Sequence, residues 1–134
     1  MMEVLKLVIP VVIAVLGWIL GHLLSSIRER ENKKREIRLE KLMEAYDWFG
    51  RAMIEGQNEE INVQLSMAIH NSQCYGTCRE QKMAIEYCQA IKEKKSADAL
   101  ELIKSIRNVI REELGLSPFE EPVSWVVHSA DTDK

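Results

Sequence analysis

An uncharged apolar run near the N-terminus constrains this chain more than any other feature of its sequence. Residues 7–24 read LVIPVVIAVLGWILGHLL and contain no formally charged side chain. A helix rises about 1.5 Å per residue, so this run reaches roughly 27 Å, and the longer stretch 4–27 matches the roughly 30 Å hydrocarbon thickness of a bilayer. We therefore expect residues 1–27 to form a transmembrane anchor, which makes the lipid bilayer the first partner of the chain.

The charges on either side of the run predict the orientation of the anchor. Glu3 and Lys6 precede it, whereas seven bases follow it within residues 28–41. Because positive charge is retained on the cytosolic side, we expect the N-terminus outside and the C-terminal part in the cytosol. A cleaved signal peptide is the competing interpretation. Such peptides carry their positive charge before the apolar run and end in a small-x-small cleavage site, which residues 22–26 do not provide.

The stretch 28–38, which we call the charged collar, is charged on all sides and indicates a solvated helix that continues the anchor. Pairs of Glu with Arg or Lys three or four residues apart are expected to stabilise it. Basic side chains this close to a membrane attract anionic lipid headgroups. The candidates for headgroup contact are Arg28, Arg30, Lys33, Lys34, Arg35 and Arg38.

Beyond residue 41 the chain becomes acidic. Residues 42–134 contain ten bases and sixteen acids. No basic patch interleaved with aromatic residues occurs there, so the sequence predicts no nucleic-acid partner. Three Cys residues and a 46% apolar composition are typical of a reduced cytosolic core rather than of a disulfide scaffold.

Residues 39–116 show helical periodicity throughout and predict a small cytosolic bundle of about four amphipathic helices, so that the whole chain is all-α. Apolar residues recur at steps of three and four, which places them on one face of each helix. The four predicted stripes are Leu39, Leu42, Met43, Tyr46, Phe49, Gly50 and Met53; Ile61, Leu65, Ala68, Ile69 and Ser72; Met83, Ala84, Tyr87, Cys88 and Ile91; and Ala99, Leu102, Ile103, Ile106, Val109, Ile110 and Leu114.

Capping signals divide this region into its helices. Thr77, followed three residues later by Glu80, predicts a capping box at the start of the third helix. Glycine in the left-handed conformation commonly ends a helix, and a break is expected at Tyr75-Gly76. The other predicted boundaries are N-caps at Asn58 and Ser96, helix ends at Gly56 and Gly115, and an end of the third helix near residues 94–95.

After the bundle, residues 117–127 form an apolar segment. Residues 117–120 have the composition of one short helical turn, and residues 123–127 have a strand-like bias with no second strand to pair with. We expect an extended segment that packs Phe119 and Trp125 onto the bundle; the alternative is a docking segment for a partner. Residues 128–134 are predicted to be a disordered tail.

Self-association is predicted from two features. Gly17 and Gly21 form a GxxxG motif inside the anchor, which allows two helix backbones to approach closely. Trp48 lies near the polar edge of its helix, beside Ala45 and away from the main stripe. We expect its ring to be shielded from solvent, either by the C-terminal segment or by a second subunit or partner. His22 is the one titratable group in the run, and its position near the cytosolic end lets it reach the interface.

One group of residues has the side-chain types of a metal site. His70, Cys74 and Cys78 are spaced by four, and Cys88 follows ten residues later. An unbroken helix would place the first three on one face, as a structural zinc site requires. Gly76 indicates a break, and Cys88 falls on an apolar stripe, where free Cys behaves as a small hydrophobe. We therefore predict no metal site.

No catalytic pattern is present. The acids are scattered over polar helix faces, no Gly-rich phosphate loop precedes a helix, and neither GxSxG nor HExxH occurs. We expect that the protein is not an enzyme and requires no cofactor, and the sequence identifies no small-molecule substrate.

Two segments carry a resemblance to known proteins: Tyr75-Gly76 before the third helix, and residues 107–116, RNVIREELGL. With the overall layout, they resemble small bacterial proteins that have one N-terminal span, a charged juxtamembrane helix and a short cytosolic helical domain. The resemblance covers most of the length. It implies a bacterial inner-membrane location and implies no reaction.

These observations predict a single-pass inner-membrane protein whose cytosolic bundle mediates self-association or binding to a membrane-protein partner. Two alternatives from other classes stay open. One is a membrane-acting effector of a toxin or defence system, which harms the membrane when it oligomerises. The other is a metal- or thiol-dependent protein that uses His70, Cys74 and Cys78.

Overall fold

A computed structural model describes residues 1–56, 58–93, 95 and 97–125. Within these residues the chain is all-α, with four helices and no strand, as the sequence predicts. The helices are α1 (Met2–Glu55), α2 (Glu59–Tyr75), α3 (Cys78–Lys92) and α4 (Leu100–Glu113). The predicted anchor, the charged collar and the first bundle helix are thus parts of one helix, α1.

The chain divides into two units, Met1–Ile37 and Arg38–Lys134. In the first unit, the apolar side chains that the structure describes are all exposed. Of the described helices, α1 alone is long and apolar enough to cross a membrane. The apolar N-terminal part of α1 buries none of its described apolar side chains within the chain, and such a surface favours contact with lipid or with another helix.

Ion pairs line the charged collar at the predicted spacing. Lys33 Nζ lies 3.1 Å from Glu36 Oε2, and Lys34 Nζ lies 3.1 Å from Glu31 Oε1. All four side chains are well exposed, so each pair contributes at most about 0.5 kcal/mol to helix stability. The pairs also offset part of the positive charge that the collar presents.

The second unit is a four-helix arrangement around one apolar core. α2 packs against α3, and α3 packs against α4. α1 is joined to α2 through Asn71, whose Nδ2 donates to Lys41 O at 3.3 Å and to Glu44 Oε2 at 3.4 Å. The core is formed by Leu42, Ala45, Phe49, Ala68, Ile69, Ala84, Ala99, Leu102, Ile103, Ile106 and Val109.

The buried face of α1 differs from the predicted stripe. Ala45, which the sequence places outside the stripe, is fully buried, whereas Met43 and Met53 are 47% and 40% exposed. α1 has neighbours on both sides, with α2 near Lys41 and α4 near Arg38. Its buried face therefore centres on Leu42, Ala45 and Phe49, which lie three and four residues apart.

Most predicted helix ends are confirmed. Gly56 and Gly115 have φ angles of 75° and 73°, the left-handed region that favours glycine. Asn58 Oδ1 accepts a hydrogen bond from Ile61 N at 2.8 Å. The capping box of Thr77 and Glu80 is also present at the start of α3.

Three predicted details differ from the structure: the end of the third helix, the cap of the fourth helix, and the burial of the last residues of two stripes. α3 ends at Lys92 and α4 begins at Leu100, after an N-cap at Ala99. Asp98 Oδ1 accepts from Leu100 N at 2.9 Å, which supplies an acceptor at the start of α4. The predicted cap Ser96 and residue 94 lie outside the described residues.

Ile91 and Leu114, the last residues of their predicted stripes, are about half exposed. Each lies at or beyond the final turn of its helix, where the bundle no longer covers it.

A tight corner at Gly76 joins α2 to α3. A Cβ atom at this position would lie 2.4 Å from Ser72 O and 2.7 Å from Glu80 Cβ. Only glycine fits this spacing, although its φ of −69° is open to any residue. Close packing, and not the backbone angle φ, therefore requires glycine at this corner.

Candidate functional sites

The GxxxG face of α1 is open. Gly17 and Gly21 lie one turn apart, and nothing lies within 4 Å of a Cβ atom built at either position. Beside them the rings of Trp18 and His22 stack, with centroids 6.0 Å apart and planes at 12°. Because the two glycines have no side chains, a second helix backbone can approach this face closely.

Trp48, the third residue predicted for self-association, belongs to the bundle unit. Its ring is partly buried and packs against the core cluster. The guanidinium of Arg51 lies over the ring, 5.0 Å from its centroid. Residues of its own chain therefore supply cover for Trp48, whereas the indole of Trp125 lies against Gly50.

Asn71 and Trp48 also influence Glu44, which lies one turn before Trp48 on α1. A hydrogen bond from Lys41 is the main reason that the pKa of Glu44 is lowered, and hydrogen bonds from Asn71 and Trp48 act in the same direction. The Lys41 Nζ to Glu44 Oε2 distance is 2.8 Å. Glu44 thus serves as a polar contact between α1 and α2.

Arg38 differs in its contacts from the other predicted lipid-binding bases. Its Nε donates to Tyr75 O at 2.9 Å, and its Nη1 lies 2.6 Å from Glu113 Oε1. These contacts commit its guanidinium to the bundle, because they join the ends of α2 and α4 to α1. The other bases of the set are exposed along the charged collar: Arg28, Arg30, Lys33, Lys34 and Arg35.

The His and Cys residues do not assemble into one site. His70 Nε2 and Cys74 Sγ are 3.6 Å apart on an exposed face of α2. Cys78 follows the Gly76 corner, and Cys88 is partly buried on α3, where Gln73 Nε2 donates to its sulfur at 3.9 Å. The described part of the chain contains no group of three or more His, Cys, Asp or Glu residues able to hold a metal. The absence of a metal role stays a prediction.

Glu80 is a buried carboxylate that contacts α4 in addition to forming the predicted helix cap. It accepts from Thr77 N at 2.8 Å and from the hydroxyls of Thr77 and Ser105. Burial raises the pKa of Glu80, but the hydrogen bonds from Ser105 and Thr77 outweigh it and hold the pKa below its usual value. Glu80 therefore ties the start of α3 to α4 as an ionised group.

The C-terminal segment, which we define as residues 117–125, is held by side chains of α4. The segment contains no helical turn, contrary to the sequence prediction for residues 117–120. Arg111 Nε donates to Ser117 O at 2.7 Å. Arg107 Nη2 donates to Phe119 O at 2.6 Å and to Glu121 O at 2.5 Å.

Two further α4 residues complete this arrangement. Asn108 Oδ1 accepts from Phe119 N at 2.9 Å, and Lys104 Nζ lies 3.1 Å from Glu120 Oε2. We call Lys104, Arg107, Asn108 and Arg111 the α4 clamp. Sequence reasoning missed it, although its members lie within two turns of α4, shortly before the segment that they bind.

The far end of the segment packs on α1. Val123 and Trp125 lie against the core cluster. A Cβ atom at Gly50 would approach Trp125 Nε1 to 3.0 Å, so the absence of a side chain at Gly50 provides room for the indole. The described residues 117–125 are therefore extended and contact the bundle at both ends, while residues 126 and 127 lie outside the described residues.

No family model matches the chain, and no curated protein and no solved structure is detectably similar to it.

Proposed function

We propose that this chain is a single-pass protein of the bacterial inner membrane that associates with a second copy of itself through its span. The cytosolic bundle is a protein-interaction module without catalytic activity. The span anchors the bundle at the membrane, and the charged collar contacts anionic headgroups through its exposed bases. Self-association is the biochemical property that the geometry supports best.

The open Gly17–Gly21 face of α1 is the single observation that carries this proposal. The surrounding apolar side chains are exposed, and nothing occupies the space next to the two glycines. Within lipid there is no hydrophobic gain from pairing two helices, so association depends on close van der Waals contact between backbones. Two glycines one turn apart favour that contact.

The orientation of the anchor is supported by charge. Seven bases follow the apolar run within residues 28–41, and one precedes it. Anionic headgroups on the cytosolic leaflet attract such a cluster. The proposed arrangement therefore places the bundle in the cytosol.

Crosslinking in native membranes tests self-association. We expect a crosslinked dimer from the wild type and roughly tenfold less from Gly17→Ile or Gly21→Ile, a change of about 1.4 kcal/mol in pairing. Val12→Ile is the matched control, because it adds a methylene on the opposite face of the same helix and should leave the dimer intact. All variants should insert equally, and a wild type that is only monomeric contradicts the proposal.

Reporter fusions after residue 134 test the orientation. A fluorescent protein that matures only in the cytosol should be active there, whereas alkaline phosphatase, which needs the periplasm, should be inactive. Active alkaline phosphatase from this fusion would show that the bundle is periplasmic.

A further inference from the structure

We propose that His70 and Cys74 bind a zinc ion on the exposed face of α2. The two side chains lie one helical turn apart, and His70 Nε2 is 3.6 Å from Cys74 Sγ. The sequence predicts no metal site because Gly76 separates Cys78 from the other candidates, but the structure leaves His70 and Cys74 together. This site needs one chain only and is independent of the self-association proposed above.

The distance between the two donor atoms matches the geometry of bound zinc. Zinc lies about 2.0–2.1 Å from an imidazole nitrogen and about 2.3 Å from a thiolate sulfur, with its ligands arranged tetrahedrally. At the tetrahedral angle, these bonds place the nitrogen and the sulfur about 3.5–3.6 Å apart. A square-planar ion with bonds of similar length would need them about 3.1 Å apart. The observed 3.6 Å therefore favours a tetrahedral ion.

The chemistry of the two donors selects the same ion. Imidazole nitrogen and thiolate sulfur are common ligands of zinc, whereas magnesium and calcium prefer oxygen. On binding, the thiol of Cys74 releases its proton to solvent and the thiolate donates an electron pair to zinc, while His70 donates the lone pair of Nε2. Because both side chains are exposed, water can fill the two remaining positions of the tetrahedron.

α2 holds the two ligands in place before the metal arrives. Between them in the sequence, Asn71 and Ser72 are buried against the bundle. Ser72 Oγ donates to Ala68 O at 2.7 Å, and Asn71 Nδ2 donates to Lys41 O at 3.3 Å. Packing on one side of α2 thus fixes the backbone that carries the ligands on the other side. Binding then needs no rearrangement of the helix.

The charge of this part of the chain favours a cation. Residues 42–134 contain ten bases and sixteen acids, and an excess of acids raises the local concentration of cations. The last turn of α2, which carries Cys74, contains no basic side chain. No positive charge within that turn therefore opposes the metal ion.

Titration of the full chain with cobalt(II) in mild detergent tests the site. Cobalt(II) accepts the same tetrahedral ligands as zinc, and a thiolate bound to it produces a charge-transfer absorption in the near ultraviolet. We expect one cobalt ion per wild-type chain, with this absorption, and loss of the absorption when excess zinc displaces the cobalt. Magnesium at the same concentration should leave the absorption unchanged, because it prefers oxygen ligands.

Variants of the two ligands locate the bound ion. Cys74→Ser should abolish the charge-transfer absorption, because it removes the thiolate. His70→Gln should weaken cobalt and zinc binding at least about tenfold, since even the loss of an outer partner of a metal ligand costs that much. Cys78→Ser is the matched control, because it removes a second exposed thiol that lies beyond the Gly76 corner. It should bind as the wild type does.

The variant Cys74→His separates metal binding from an indirect effect on folding. Two imidazoles four residues apart on one helix face also bind zinc. This variant should therefore retain zinc in equilibrium dialysis, while the charge-transfer absorption with cobalt is lost.

Three results would overturn the proposal. Equal binding by the wild type, Cys74→Ser and His70→Gln would indicate an adventitious ion only. A charge-transfer absorption that is lost in Cys78→Ser as well would place the ligands elsewhere, and a wild type that does not saturate at one ion per chain would lack the site. Because one chain suffices for binding, none of these results bears on self-association through the span.

Discussion

Arg38 at the start of the bundle unit and Glu113 at the end of α4 are 75 residues apart in sequence, yet their side chains form an ion pair of 2.6 Å. The same guanidinium donates to the carbonyl of Tyr75, the last residue of α2. One side chain therefore joins three helices at the same end of the bundle.

Removing this ion pair should destabilise the bundle. Arg38→Met is expected to lower the free energy of unfolding by about 1–3 kcal/mol, because it leaves Glu113 and the Tyr75 carbonyl without this donor. Urea titration of the full chain in mild detergent measures the change. Lys34→Met, which breaks an exposed pair in the charged collar, is the control and should cost less than about 0.5 kcal/mol. Equal effects of the two variants contradict the prediction.

Glu80 should make the bundle sensitive to acid. Its folded-state pKa lies below the ordinary value of 4.5, so the unfolded chain takes up a proton at a higher pH than the folded chain does. The resulting stability is complete above about pH 4.5 and is lost as the pH falls through the folded-state pKa.

The variant Glu80→Gln tests this role. Urea denaturation midpoints of the variant and of the wild type are measured between neutral and acidic pH. We expect it to be less stable than the wild type at neutral pH by about 1–3 kcal/mol and to lose less stability on acidification. Glu86→Gln is the control, because Glu86 is an exposed residue of the same helix. A wild type and a Glu80→Gln variant with parallel pH profiles rule out this role for Glu80.

A side chain at Gly50 should displace Trp125. The first atom of any side chain would already lie 3.0 Å from the indole nitrogen, and Gly50→Leu extends well beyond it. Hydrogen exchange of the Phe119 amide, which donates to Asn108 Oδ1, should then become about tenfold faster, because the segment loses its contact with α1. Met53→Leu alters an exposed residue of the same helix and should leave exchange unchanged. Unaltered exchange in Gly50→Leu would mean that the indole is held elsewhere.

Trp48 is expected to act in folding and not in pairing. Trp48→Ala should lower bundle stability by about 2 kcal/mol, less than the 3–5 kcal/mol of a fully buried Trp, because the ring is partly buried. Circular dichroism during urea unfolding measures this change, and membrane crosslinking should give as much dimer as the wild type. Trp18→Ala, in the exposed span, should leave bundle stability unaltered. Loss of the dimer in Trp48→Ala would instead place this ring at a subunit contact.

The helices were predictable because their signals are local. Periodic apolar residues and the capping box of Thr77 and Glu80 act within one or two turns, and the structure contains both. Ala45 was misplaced because the buried side of α1 depends on where α2 and α4 pack, and the sequence of α1 does not contain that information.

The contacts of Arg38, Arg107 and Arg111 could not be predicted from the sequence. Arg38 resembles the other collar bases, and its partners lie 37 and 75 positions away. The acceptors of Arg107 and Arg111 are backbone carbonyls, which every residue possesses, so no pattern in residues 117–121 marks them as a ligand. The open face at Gly17 and Gly21 was visible in the sequence because it is defined by the absence of side chains.

The position of α1 at the start of the chain determines when the core can close. Leu42, Ala45 and Phe49 are made early, and they share their cluster with residues of α4, which is complete only at Glu113. At about 5–20 residues per second, several seconds of synthesis separate the two. During that interval the part of the cluster that α4 covers in the folded bundle stays exposed. A chaperone that binds short apolar helices would find its site here, and would lose it once α4 is complete.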